Sequence, residues 1–240
     1  MKKIFVAGST SYVGRHFVTE ALKKGFGITA MTADRSKAKF EKHNHLQVLE
    51  GSMLNLYSVN TFMAGNDYVL SAIEDHDEFD SESNIIDFRV RATENLIEAA
   101  RQQEIKKIIT LLGAPLLKLH NGPRIIDQAD PMPYLEVLGV SVEQARRMWE
   151  SWKLLQESGL DVTAFCPAVI TDHERTGDYQ VKDDEFCDLL KYERVTIGDL
   201  VDAMLAEFEK DQHKGKLIGI KSNKVREAPS FAFSSLNVKW

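Results

Sequence analysis

The chain has no apolar run near the roughly 20 residues that a membrane-spanning helix requires. It has only two cysteines, Cys166 and Cys187, in neither metal-ligating nor redox spacing. That argues against a disulfide framework and suits a reducing cytoplasm. Positive charge is not in surplus either: 30 basic residues stand against 36 acidic ones, for a net charge of −6. A general affinity for nucleic acid or for an anionic membrane is therefore not expected, and the expected partner is a small molecule. No Gly-x-Ser-x-Gly elbow, P-loop or zinc-finger spacing occurs, and no internal repeat or linker divides the 240 residues. What is present is an ordinary globular composition, 43% hydrophobic and 28% charged, long enough to bury a sizeable core.

Residues 3–7 are apolar and β-branched, and the run stops at Gly8-Ser9-Thr10. This predicts a first strand, since the run is too short for a secretory signal. A helical pattern follows, with Val13, Phe17 and Ala21 on one face and Val18 and Leu22 beside it. Further strands are expected at 28–32, 46–49, 68–72, 107–111, 162–166 and 217–220. Helices are expected at 56–63, at 84–103, and along the stripe Val142, Ala145, Met148, Trp149, Trp152 and Leu155. In the helix at 84–103, Ile86, Val90, Leu96, Ile97 and Ala100 would face the core. Thr196-Ile197-Gly198-Asp199 has the form of a capping box opening a last helix. Strands alternating with helices at this spacing predict an α/β fold: a Rossmann-type, doubly wound parallel sheet. One domain over 1–221 is expected, with a small substrate-side region formed by 113–138 and the segment after Pro167. The apolar tail 222–240 would pack on the domain or on a second subunit of a homodimer.

The loop Gly8-Ser9-Thr10-Ser11-Tyr12-Val13-Gly14 lies between the first strand and the first helix, where a dinucleotide pyrophosphate belongs. Gly8 would make the tight turn and Gly14 would allow close helix–strand packing, while the helix amides hold the anion. Ser11 stands at the middle position of the glycine pattern; it can donate to phosphate, but its Cβ narrows the approach. Replacing Gly14 by Asp is expected to abolish cofactor binding without unfolding the chain. After the second strand, Asp34 could hold the ribose hydroxyls of NAD, and Arg35 and Lys37 could face the 2′-phosphate of NADP. The balance favours NADP, through Arg35.

These stretches resemble the atypical branch of the short-chain dehydrogenase/reductase superfamily. The nearest likeness is to bacterial NADH–flavin reductases, also described as epimerase/dehydratase-like, with NmrA-like regulators and biliverdin reductase B further off. It is carried by Val6–Gly14, by the helix 92–100, by Gly159-Leu160-Asp161-Val162-Thr163, by Cys166-Pro167-Ala168, and by Glu174-Arg175-Thr176-Gly177-Asp178-Tyr179. The resemblance implies that Thr10, Ser11, Tyr12 and Val13 share the loop's work with its glycines. It places Ser52 and Met53 beside adenine, and Ala72 and Ile73 along the ribose and diphosphate. Leu112 and Gly113 would lie near the nicotinamide ribose, and Pro167, Ala168 and Val169 beside the nicotinamide.

The Tyr-x-x-x-Lys dyad and upstream Ser of the alcohol-oxidising relatives are missing. The fifth strand ends Thr110-Leu111-Leu112-Gly113, and the helix that should carry the dyad reads Gln144-Ala145-Arg146-Arg147-Met148-Trp149. Its absence removes the usual proton transfer and names no catalytic residue. Hydride transfer to a flavin asks only that two rings stack, and Trp149 and Trp152 could wall such a pocket or simply pack the core. The resulting expectation is an NAD(P)H-dependent reductase using a flavin or similar planar acceptor. A non-catalytic redox sensor is the alternative, and an epimerase or dehydratase the third reading. The acidic run 74–80, and His43 with His45, read as solvated surface rather than metal ligands. His120, His173 and Tyr134 are substrate-side candidates without a partner in the sequence.

Overall fold

The computed structural model describes residues 1–74, 88–120, 122–188, 190 and 193–225. Its frame is an eight-stranded sheet: β1 (Lys3–Ala7), β2 (Gly27–Thr32), β3 (Leu46–Glu50), β4 (Tyr68–Ser71), β5 (Lys107–Leu111), β6 (Val162–Phe165), β8 (Tyr179–Asp183) and β10 (Leu217–Ser222). Its spatial order is β3-β2-β1-β4-β5-β6-β10-β8, parallel throughout except for β8, which runs antiparallel to β10. This is the Rossmann-type doubly wound arrangement. The short strands β7 (Val169–Thr171) and β9 (Arg194–Thr196) form a separate parallel pair.

Helices cover both faces. α1 (Tyr12–Lys23) and α6 (Ile197–Lys210) pack together on one side; α2 (Leu56–Met63), α3 (Phe88–Gln102) and α5 (Val142–Glu157) pack on the other. The apolar stripe of α1 buries Val13, Phe17, Val18 and Ala21, with Phe17 edge-on to Phe208 of α6. Phe5 and Phe17 are fully buried, and each such side chain contributes roughly 1.5–3 kcal/mol by leaving water. The expected helix 84–103 is seen from Phe88, its first residues and Ile86 lying outside those described. Its buried face includes Arg89 and Thr93, while Val90 is only half-buried. A seven-residue helix, α4 (Met132–Leu138), lies in the stretch 113–138 expected on the substrate side.

At the amino-terminal end of β5 the Lys107 ammonium is buried among acids. It lies 2.8 Å from Glu207 and 3.6 Å from Asp161, and it bonds Asp211. Glu207 also accepts from Thr163 Oγ1 and from the amide of His213, at 3.2 and 3.0 Å. Removing one partner of such a buried pair costs about 3–5 kcal/mol, so this knot fixes the end of α6 to the sheet.

Candidate functional site

Gly8 turns the chain off β1 with φ +70°, and a Cβ there would lie 2.3 Å from the carbonyl oxygen of Ala72. At Gly14, in the first turn of α1, a Cβ would lie 2.1 Å from the carbonyl oxygen of Gly8. Only glycine lets the strands and helix approach this closely. The same contact overturns one half of the expectation for Asp at position 14, that the fold would be undisturbed: any side chain there displaces the loop itself. Ser11 caps the helix, its Oγ accepting from the Gly14 amide at 3.0 Å. That bond uses the Ser11 oxygen as an acceptor and leaves its proton for donation. The amides of Tyr12 and Val13, in the same turn, have no acceptor within the helix, and with the helix dipole they are suited to an anion.

Two cavities open along this loop at the carboxyl end of the sheet, where the strand order reverses between β1 and β4. Ile73, just past β4, lines both. The first is lined by Gly8 and Thr10 from the loop and by Met31, Thr32, Ala33 and Asp34 from the end of β2. Gly51, Met53 and Phe88 add apolar surface, and Lys37 adds a positive charge. Thr32 Oγ1 sits 3.3 Å from Thr10 Oγ1 and donates to the Asp34 carbonyl at 3.0 Å, joining the two rims. Asp34 caps the 3-10 turn Arg35–Lys37, accepting from the Ser36 hydroxyl at 2.6 Å and its amide at 2.9 Å. Those bonds hold its carboxyl below the usual range.

The second cavity is bounded by Tyr12 and Val13, by Leu111 and Leu112 at the end of β5, and by Pro167 and Ile170 after β6. Gly139, Val140, Gln144 and Met148 close it from the α4–α5 side, and Glu74 and Arg89 bring opposite charges to its lining. Among the described residues that line it there is no His or Lys. The Tyr12 hydroxyl donates to Asp172, and burial and Asp172 together push the phenol above its ordinary pKa. His16 lies edge-on to Tyr12 at 5.1 Å, its pKa lowered by burial.

A loop that fits a diphosphate, at the switch point of a doubly wound sheet, agrees with one further finding. Residues 8–208 match the family model for NAD(P)H-binding proteins. The chain belongs to the NAD(P)H-binding family. An uncharacterised chloroplastic protein of Arabidopsis thaliana is 24% identical over 98% of this chain and 81% of its own length. Among solved structures, a candidate epimerase from Bacteroides thetaiotaomicron superposes with TM-score 0.77 at 23% identity, over 94% of this chain and 99% of its own. A candidate NADH–flavin reductase from Streptococcus pneumoniae gives 0.73 at 18%, over 92% and 100%. A short-chain dehydrogenase/reductase from Veillonella parvula, solved with NADP, gives 0.74 at 14%, over 96% and 99%. At these identities the structures share the fold. No helix among the described residues is long and apolar enough to cross a membrane.

Of the residues singled out in the sequence of this NAD(P)H-binding protein, the first cavity gathers Gly8, Thr10, Asp34, Lys37, Met53 and Ile73. The second gathers Tyr12, Val13, Ile73, Leu112 and Pro167. Others lie behind the lining. Ser11 and Gly14 shape the loop, and Ala72 is fully buried against Gly8. Ser52 Oγ accepts from the Leu54 amide, and Gly113 leaves room for Met148, whose Sδ would lie 2.9 Å from a Cβ there. Ala168 is buried and Val169 begins β7. Arg35 uses its backbone amide to reach Glu50, and Lys37, not Arg35, lines the cavity. Neither tryptophan walls the second cavity: Trp152 is in the core, and Trp149 lies under the Arg124 guanidinium at 5.4 Å. His120, Tyr134 and His173 are not among its lining residues either.

The segment 172–178 gains a role that spacing could not show. Arg175 pairs with Glu20 of α1 and, at 3.1 Å, with Asp202 of α6. Asp199 accepts from the amides of Thr176 and Gly177 at 3.0 and 2.9 Å, and from the hydroxyls of Thr176 and Ser222. Burial opposes its charge, but these donors outweigh it and keep the carboxyl low. The expected capping box is thus only half made. Thr196 caps α6 by accepting from the Asp199 amide, while its own amide donates to Ser222, because the Asp199 carboxylate is spent on the strap.

Proposed function

We propose that this protein is an NADPH-dependent reductase that delivers hydride to a planar conjugated acceptor such as a flavin. The observation that carries the reading is the second cavity, walled by Leu111, Leu112, Val140, Met148, Pro167 and Ile170. Oxidising an alcohol or epimerising a sugar needs a positioned acid or base, typically worth 10²–10⁴-fold in rate. The apolar walls cannot supply one; among the described residues the ionisable lining is Glu74, which shares the cavity with Arg89, and Tyr12, whose hydroxyl proton is already given to Asp172. When bound, a reduced dinucleotide supplies the hydride, and the last proton comes from water. The chain's part is to hold two flat rings in contact and keep water from between them.

The close approaches at Gly8 and Gly14, with the open amides of Tyr12 and Val13, fit a diphosphate. Lys37 in the first cavity supports the 2′-phosphate of NADPH as the distinguishing group. The NADP held by the Veillonella protein, and the activity ascribed to the Streptococcus one, agree with this reading. The test is NADPH consumption by purified protein with flavin mononucleotide, and separately with ketones and nucleotide sugars. Turnover with flavin alone is expected. Turnover on the second panel alone would overturn the reading, and binding without turnover on either would indicate a redox sensor.

A further inference from the structure

One side chain of the second cavity is fixed in a way that determines what it can offer a ligand. Gln144 is the third residue of α5, and Ser141 is the N-cap. Ser141 Oγ accepts from the Gln144 amide at 3.1 Å, and Gln144 Oε1 accepts from the Ser141 amide at 2.9 Å. This reciprocal capping box satisfies two helix-end donors and locks the side chain. Because the Ser141 amide can only donate, the atom facing it must be the oxygen of Gln144. What remains is Nε2, which carries two N–H donors and has no partner among the described residues. Gln144 lines the cavity together with Met148, one turn along the same face.

We infer that Gln144 is a specificity-determining residue: it selects acceptors that present a carbonyl oxygen to its Nε2 while their apolar rings lie against Leu112, Met148 and Ile170. A free glutamine could turn either end of its amide to a ligand, but here Oε1 is held at the Ser141 amide and Nε2 is the end left over. A conjugated carbonyl, as in a quinone or the carbonyl edge of a flavin ring, provides the matching lone pairs. A hydrocarbon of the same outline would bury Nε2 unpaired, and an unmade bond in an apolar cavity is costly. The inference rests on the acceptor reading of this cavity, but it concerns binding and does not require turnover.

The test is Gln144→Glu. Glutamate keeps the oxygen that accepts from Ser141, so the capping box and the melting temperature should be retained. Its other oxygen turns the donor into a charged acceptor. The probes are 2,3-dimethyl-1,4-naphthoquinone and 2,3-dimethylnaphthalene, the same skeleton with and without carbonyls, titrated into full-length protein saturated with NADP⁺. The quinone's dissociation constant is expected to rise at least tenfold in the variant, the hydrocarbon's to stay within twofold, and that of NADPH to stay within threefold. An unchanged quinone affinity, an equal loss for both probes, or no quinone binding to the unaltered protein would overturn the inference. If the quinone binds with this selectivity and is never reduced by NADPH, the inference stands and the reductase reading falls.

Discussion

The Tyr12 hydroxyl donates to Asp172, joining the Gly8–Gly14 loop to a segment 160 residues further along the chain. The bond ties the strap 172–178 to the crevice at one end, as Arg175 ties it to α1 and α6 at the other. Tyr12→Phe keeps the ring and removes the bond. Asp172 is exposed, so the loss should be modest, about 1 kcal/mol in denaturant unfolding. Amide exchange at Thr176 and Gly177 should quicken. The phenol's pKa is raised, so the tie is intact below the ordinary tyrosine value of 10.0 and is lost only as pH rises through the higher folded value. Unchanged exchange in the variant would show that the strap does not depend on Tyr12.

Two substitutions in the loop should separate binding from folding. Thr10→Asp places a carboxylate in the first cavity without forcing the backbone, and it should weaken NADPH binding by roughly tenfold or more, about 1.4 kcal/mol upward. Gly14→Ala forces a Cβ onto the Gly8 carbonyl and should cost about 1–3 kcal/mol in stability besides. Calorimetric titration and thermal unfolding of both variants distinguish the two effects. Equal NADPH affinity for Thr10→Asp and the unaltered protein would remove the loop from the site.

Preference between the dinucleotides should follow the cavity lining rather than proximity to β2. Lys37→Ala is expected to cut the NADPH-over-NADH preference by about tenfold, the exposed charge being weaker than a buried one. The effect should shrink with added salt. Arg35→Ala should leave the ratio of dissociation constants within twofold. The reverse result would assign the 2′-phosphate to Arg35.

Glu193 is fully buried and accepts from the amides of Cys187 and Asp188, at 3.0 and 2.9 Å. Burial outweighs these donors and raises its carboxyl to about 7. With the folded value above the unfolded one, its contribution is full below pH 4.5 and is lost as pH rises through 7. The group should therefore cost about 2–3 kcal/mol of stability between pH 4.5 and 8. Glu193→Gln should lose this dependence, although its amide cannot accept both backbone donors and the variant should be the weaker one at acid pH. Parallel denaturant curves at pH 5 and 8 measure the double difference; a constant gap between the proteins would sink the assignment.

Local pattern made the sheet legible where strands are buried on both faces. Residues 3–7 and 107–111 are short apolar runs between turn signals, and α2 was readable to the residue from its flanks. β7 and β9 have three residues each, too few for any period, and β8 is a half-exposed edge strand. α4 begins in a proline-rich stretch that resembles a turn. In the site, the glycine loop was legible because its chemistry is local. Lys37 was legible only as one of two candidates beside Arg35, and Gln144 and Asp172 were not legible, because their roles depend on partners or cavities assembled by the fold. A helix-start signal at Thr196 could be read, but not that Asp199 would spend its carboxylate on a segment 22 to 23 residues earlier.

Lys107 and Leu111 are the two ends of one five-residue strand, about 13 Å apart at the usual rise per residue. The first anchors the α6 knot and the second walls the second cavity. Substitutions at the two poles share no partner and should act independently of each other. A descendant could change what the second cavity holds by altering residues around Leu111 and Gln144 while inheriting the Lys107 anchor untouched. Ancestry would then be written most durably at the amino-terminal pole, and chemical novelty at the opposite one.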